Sequence, residues 1–219
     1  MVSMRDWYLS KYAVPFLSEL PSGIRTPDNL QRFIEEFVKM ELYKGRPEDV
    51  TGREEREIRV YDFLDKLGIE YVRTDHGHAD TMEACNEIDA VLDVLICKNL
   101  FLCNRQKTNY YLLMMPGDKP FKTKELSSQI NSARLSFASA EDMEKYLDIH
   151  PGAVSIMGLM NDHDNAVQLL VDEDVLKGAY LGCHPCVNTS SLKMKTEEVF
   201  TKFLDAVHHK AITVVLKGE

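Results

Sequence analysis

No stretch of this chain approaches the roughly 18 to 20 uninterrupted apolar residues that would cross a bilayer as a helix. The opening segment, MVSMRDWYLSKYAVPF, lacks the basic-then-apolar order of an export signal. A soluble, cytoplasmic protein with no membrane partner is therefore the expectation. Positive charge is also scarce: 26 Lys and Arg stand against 35 Asp and Glu, a net charge of −9. That argues against a protein that coats nucleic acid, because such binding neutralises many phosphates with basic side chains. It leaves room for one that touches few. Lys119, Lys122 and Lys124, or Lys193 and Lys195, would supply a local basic rim, although taken alone they read as solvated surface. The five cysteines are odd in number and irregularly spaced, and read as reduced thiols rather than a disulfide framework. Missing too are the G-x-S-x-G elbow, the P-loop and the Rossmann glycine fingerprint, so nucleotide hydrolysis and hydride transfer have no support. There is no internal repeat, low-complexity tract or heptad run.

What is present is enough apolar material for one sizeable core, with 44% hydrophobic and 28% charged residues. Residues 1–50 read as an N-terminal helical extension. Thr26-Pro27 starts a helix whose apolar stripe runs through Leu30, Phe33, Ile34 and Phe37 and fades near Gly45-Arg46-Pro47. The main domain is then 51–219. Thr51 and Glu54 have capping-box spacing, and Ile58, Tyr61, Leu64 and Leu67 continue a helix to Gly68. A strand over 70–75, a helix over 80–92 and an apolar run over 94–102 follow, the last forming a hairpin with 110–115 through the polar turn 104–109. Short helices at 123–131 and 140–147 flank 134–138, and strands are expected at 166–171 and 179–182. A final helix, capped by Thr196 and buried through Val199, Phe200, Phe203, Leu204 and Val207, precedes a closing strand at 212–216. Strands and helices interleave throughout, which predicts an α/β fold with a mixed sheet.

Three segments could carry chemistry. Lys98 interrupts the apolar run between Cys97 and Leu100, with Asn99, a poor strand former, beside it. Such a lysine either snorkels at a sheet edge or holds its ammonium in a partly dry cleft as an electrostatic device. Gly182-Cys183-His184-Pro185-Cys186-Val187-Asn188 combines a permissive glycine, a rigid proline, a histidine and an amide. Its Cys-x-x-Cys spacing admits a redox pair or a zinc site, but a Thr/Ser-rich stretch and a strand-like run follow where a redox helix would start, and Cys97 and Cys103 are spaced poorly for zinc. Gly158-Leu159-Met160-Asn161-Asp162 is a turn that could bring backbone amides to a ligand, with an ordinary loop as the plainer reading. His76 and His78 have metal-ligand spacing but no carboxylate partner, and read as surface histidines.

Taken together, the segments Cys97 to Leu102, Arg134 to Ser139, Pro151 to Val154 with Gly158 to Asp162, and His184-Pro185 with Asn188 resemble the YbaK and prolyl-tRNA synthetase-associated editing-domain family over about Arg53 to Leu216. The phrasing is most similar to its free-standing alanine-editing branch, often called ProXp-ala. The resemblance implies a mixed, partly barrel-like sheet flanked by helices, with no metal and no nucleotide cofactor. It implies a trans-editing deacylase that hydrolyses mischarged Ala-tRNA(Pro), with the aminoacyl-tRNA acceptor end and prolyl-tRNA synthetase as partners. Neighbouring specificities for cysteine, serine or threonine stay open, as does a non-catalytic aminoacyl-tRNA-binding module. Lys98 falls at the family's essential lysine and His184 in its histidine-proline loop, and Asn99, Gly158, Gly182, Pro185 and Asn188 are the implied substrate-binding positions. Cys183 and Cys186 depart from the pattern, and the N-terminal helix has no counterpart in it.

Overall fold

Short, largely apolar runs form the strands, and the computed structural model, which describes residues 40–79, 82–94 and 96–218, sorts them into two sheets. One is four-stranded, in the order β1 (Leu42–Lys44), β2 (Tyr71–Asp75), β8 (Ser190–Lys195), β7 (Tyr180–Cys183), with every neighbour antiparallel. The other is five-stranded and mixed: β5 (Leu135–Phe137), β3 (Lys98–Asn104), β4 (Tyr110–Met115), β6 (Val167–Asp172), β9 (Ala211–Val214). In it β5, β3 and β4 pair antiparallel, whereas β4–β6 and β6–β9 are parallel. The expected α/β class with mixed pairing and flanking helices therefore holds. β1, on the N-terminal side of the boundary expected at 50/51, is the edge strand on β2. The helix expected after Thr26 lies outside the described residues.

The central strands of the five-stranded sheet are buried on both faces. Phe101, Cys103, Leu112, Met114, Leu169 and Val171 join one cluster, with Val60, Tyr61 and Leu64 of helix α1 (Glu55–Leu67) and Leu181, Leu192 and Met194 of the four-stranded sheet. The intervening Leu102, Leu113, Met115 and Leu170 face a second cluster, closed by Leu126 of α2's successor α3 (Thr123–Gln129) and by Val214 and Leu216, α2 itself being Met82–Leu92. Two-sided burial is why β4 reads as an unbroken apolar run rather than an alternating one. The expected β3–β4 hairpin is present, its turn held by Asn104 Oδ1, which accepts from the amides of Thr108 and Asn109.

Three local expectations are corrected. The run 94–102 is not one strand: β3 begins at Lys98, and Ile96 instead forms an isolated parallel bridge with Gly182 of the other sheet. Lys98-Asn99 thus marks the crossing from one sheet to the other. The Thr51–Glu54 capping box does not form, because α1 starts with Glu54 as its N-cap and no side-chain cap, while the Thr51 amide donates to Asp49 Oδ1. Thr196 is likewise not a cap. It is the first residue of α6 (Thr196–Glu198, then a π turn Val199–Phe203, then Leu204–Ala206), and its hydroxyl is buried without a partner among the described residues.

Between these lie α4 (Ala140–Leu147), a 3-10 turn (Ile156–Asn161) and α5 (Glu173–Lys177). A reciprocal pair, Ser139 and Asp142, caps α4. The join between the sheets depends on Gly182, where a Cβ would lie 2.9 Å from Ile96 Cγ1, 3.0 Å from Ile96 Cα and 3.1 Å from Val94 Cγ1. Gly182→Ala is expected to cost about 1 to 3 kcal/mol in urea unfolding, from overpacking against backbone. Gly77→Ala, with open space around its Cβ, should stay within about 0.5 kcal/mol.

Candidate active site

The segment entering β3 is fixed before it reaches Lys98. Asp89 of α2 accepts the Ile96 amide at 2.8 Å, and the Cys97 amide donates to Gly182 O at 2.9 Å. Burial pushes the Asp89 carboxyl up to about 6, partly offset by that amide. Because Ile96 and Gly182 bridge in parallel, Lys98 and His184 each stand two residues beyond the bridge in the same chain direction. This is how residues remote in sequence come to the same seam. Lys98 Nζ donates to Lys119 O at 3.0 Å. The loop presenting that carbonyl is tied down by the Lys119 ammonium, which meets Asp172 at 2.8 Å, Asp174 at 2.6 Å and Leu216 O at 2.8 Å. Asn99 donates to Cys97 O at 3.0 Å, and its Oδ1 is buried with no hydrogen-bond partner among the described residues. A buried acceptor of that kind is available to a ligand donor.

The His184 loop is held from both sides. Its carbonyl accepts from Ser155 Oγ at 2.5 Å, and the same hydroxyl caps the 3-10 turn through the Met157 amide. Pro185 and Val187 are buried, and Cys186 takes the left-handed φ of 64° that turns the chain back toward β8. The returning loop pairs with the end of β2, since the His76 amide donates to Thr189 O and the Ala79 amide to Asn188 O. His78 Nδ1 lies 2.6 Å from Asn188 Oδ1, and the His184 ring approaches Ser190 O at 3.0 Å and Ser191 Oγ at 3.2 Å. Gly158 sits behind this loop, buried against α4, where a Cβ would come within 2.5 Å of Ile149 Cδ1 and 3.0 Å of Leu147 Cβ. Its lack of a side chain serves packing of the 3-10 turn.

Electrostatics narrows the chemistry. Burial drives the His184 imidazole down to about 4, with His76 adding to the depression and the Ser190 carbonyl opposing it, so the ring is neutral near pH 7. Burial pushes the Cys97 and Cys183 thiols up to about 12 and Cys186 up further, which keeps all three protonated and poorly nucleophilic. Ser191 is fully buried. The groups left to act on a substrate are an ammonium, a neutral imidazole and amide carbonyls, a set suited to positioning water and stabilising an oxyanion without a covalent intermediate.

A match to the family described as aminoacyl-tRNA editing domain covers residues 76–201, from His76 through the whole His184 loop. The chain belongs to that family. Editing domains of this kind are aminoacyl-tRNA hydrolases, and the chain is one by membership. Among curated relatives, the prolyl-tRNA editing protein ProX of Acetoanaerobium sticklandii is 32% identical over 136 residues, 62% of this chain and 83% of the relative. The prolyl-tRNA synthetase associated domain-containing protein 1 of Danio rerio is 25% identical over 69% of this chain and 82% of its own length. A solved structure, described as a candidate trans-editing enzyme for prolyl tRNA synthetase, superposes with a TM-score of 0.55 at 14% identity over 74% of this chain and 98% of its own, a likeness of fold. No helix among the described residues is long and apolar enough to cross a membrane.

Of the residues singled out from sequence, Gly182 lies in the sheet join, Lys98 and Asn99 follow from it, and His184, Pro185 and Asn188 form one loop beside the end of β2. His76 and His78 were read as surface histidines. His78 is exposed, yet both bond to the His184 loop and its β8 continuation. Their signal in the sequence was a pair of histidines ending a strand; only the β2–β8 register gave it meaning.

In the unfolded chain His184 titrates near 6.5, so between that value and about 4 the unfolded state binds a proton that the folded state refuses. This contribution is intact above pH ~6.5 and is lost as pH falls toward ~4, at up to about 1.4 kcal/mol per unit. Carboxylates add their own acid sensitivity. Urea unfolding at pH 7 and pH 4.5 should therefore show wild type losing about 2 kcal/mol more than His184→Gln over that interval.

Proposed function

We propose that this chain is a cytoplasmic trans-editing deacylase that removes alanine from Ala-tRNA(Pro), taking the acceptor end of tRNA(Pro) as substrate and working with prolyl-tRNA synthetase. The observation that supports the reading is the parallel Ile96–Gly182 bridge: within an editing domain, Lys98 and the His-Pro loop both follow directly from it. The relatives named for prolyl-tRNA editing support the choice of tRNA, and the resemblance of the site segments to the alanine-editing branch supports the amino acid.

An aminoacyl ester is already activated, so hydrolysis needs a water near the carbonyl and charge stabilisation for the oxyanion. Lys98 supplies the charge, either to the oxyanion or to the terminal phosphate and ribose of the tRNA. His184, too weak a base to keep a proton near pH 7, orients the water or substrate. Asn99 and the loop from Gly182 through Pro185 to Asn188 shape the acyl pocket, with Gly158 supporting the loop from behind. Selectivity is by size: a synthetase pocket made for proline loses only roughly 1 to 3 kcal/mol for each missing methylene, whereas a small second pocket rejects proline by clash.

Single-turnover deacylation with alanyl-, cysteinyl- and prolyl-tRNA(Pro) tests this. Wild type should release alanine and leave prolyl-tRNA(Pro) intact, and Lys98→Ala should slow alanine release about 100-fold or more, the scale of a lost oxyanion donor. Faster release of cysteine than alanine would replace the specificity. Unchanged alanine release by Lys98→Ala would remove the site assignment, and tight binding without turnover would make the protein a non-catalytic module.

A further inference from the structure

His76, one residue past the end of β2, lies with its ring centroid 6.2 Å from that of His184, and the Ser191 hydroxyl reaches both rings; the hydrogens of that contact can be assigned from chemistry. A carbonyl oxygen only accepts. His76 Nδ1 lies 2.7 Å from Gly77 O and His184 Nδ1 lies 3.0 Å from Ser190 O, so both Nδ1 atoms carry hydrogen. In a neutral imidazole the other nitrogen is then bare. His76 Nε2, bare, stands 2.9 Å from Ser191 Oγ, so the hydroxyl donates to it. The serine has one hydrogen and has spent it. What it turns toward His184 Nδ1, at 3.2 Å, is a lone pair, and the Nδ1–H is shared between Ser190 O and Ser191 Oγ. Every hydrogen is accounted for, and one nitrogen, His184 Nε2, is left without a partner among the described residues.

Both rings must be neutral for this to hold. Burial depresses both and outweighs the Gly77 carbonyl, which favours a charged His76; the adjacent carboxylate that would also favour it, Asp75, is engaged by Arg53 at 2.6 Å and by Arg73, while His78 opposes the charge. Ser191 is wholly buried and cannot touch substrate, so its hydroxyl has no role there except toward the two rings and the chain around them.

We infer that His76 is a positioning residue for the editing reaction: the Ser190 carbonyl favours hydrogen on His184 Nδ1, and His76, by accepting the Ser191 hydrogen, stops that hydroxyl from competing as a donor, so that together they hold His184 in the tautomer whose bare Nε2 faces the chemistry as an acceptor. Without the His76 acceptor, Ser191 is free to rotate and compete for Nδ1 as a donor. That favours the opposite tautomer, in which Nε2 carries the hydrogen and cannot accept from a water or a ribose hydroxyl. The inference rests on the deacylase reading for its consequence in turnover, but not for the tautomer itself.

The consequence separates His76 from a residue that merely packs. His76→Ala should lower kcat for alanyl-tRNA(Pro) roughly 10-fold with KM nearly unchanged, the size of effect seen when a partner of a functional histidine is removed. His76→Gln, whose amide oxygen can accept the same hydrogen, should recover to within roughly threefold of wild type. The double variant His76→Ala/Ser191→Ala should be more active than His76→Ala, because it removes the competing donor as well; this non-additivity is the signature of coupling. In parallel, nitrogen-15 NMR of the folded protein without tRNA should report His184 with hydrogen on Nδ1 in wild type and a shift toward Nε2–H in His76→Ala. A wild-type His184 carrying hydrogen on Nε2, or a double variant slower than His76→Ala, would overturn the inference. If wild type hydrolysed no aminoacyl-tRNA, the proposed function would fail while the tautomer measurement still decided this point.

Discussion

The approach of Gly182 to Ile96 is the contact from which the rest of the site follows. Two sheets with separate hydrogen-bond ladders meet there through one parallel bridge, and the backbones come so close that a Cβ on residue 182 would strike Ile96 Cα at 3.0 Å. Parallel pairing has a directional consequence. Both chains leave the bridge the same way, so Lys98 on one and His184 on the other emerge together at the start of the five-stranded sheet and the end of the four-stranded one. An antiparallel bridge at the same spot would have sent them apart. The residues around the join keep it rigid: Asp89 holds the Ile96 amide, Ser155 holds the His184 carbonyl, and Lys119 anchors the loop that receives Lys98.

Burial then decides what each group at the seam can do. The same desolvation that keeps the neighbouring thiols protonated keeps His184 neutral, because in both cases low polarity penalises the charged form. The Cys-x-x-Cys spacing is therefore a feature of the core rather than of the reactive surface. Lys98 stands at the first position of β3, its Nζ donating to the Lys119 carbonyl. On the proposed function, a lysine and a neutral ring at the seam would stabilise negative charge as it develops, with no covalent intermediate. A protein of net charge −9 can act on a tRNA end in this way, since the contact needs few phosphates.

Much of this was legible in residue order. The apolar runs of β4 and β6, the turn at Asn104 to Asn109 and the glycine stop of α1 at Gly68 all read correctly, because each depends on neighbours within a few residues. Errors arose where a local signal was outcompeted by tertiary contacts. The Thr51–Glu54 spacing suits a capping box, yet the chain there is taken up by Asp49 and Glu54 begins the helix. Thr196 looks like a cap but is buried in the first turn of α6. Val94 to Leu102 looks like one strand, but its first part is held against Gly182 and only its second part joins the five-stranded sheet.

The sequence by itself determined the fold class, most of the elements, and the residue types at the site, since periodicity, turn chemistry and an out-of-place lysine are all short-range properties. Where Lys98 falls in the sheets, and what His76 and His78 touch, depended on which strands lie side by side. Only the tertiary structure decided that, through the β2–β8 register that brings His76 to Ser191 and the bridge beyond which Lys98 and His184 each stand two residues along the chain. The physical reason is that strand pairing is chosen by the burial of whole faces, a sum over both sheets and their helices, and no local stretch of sequence contains it.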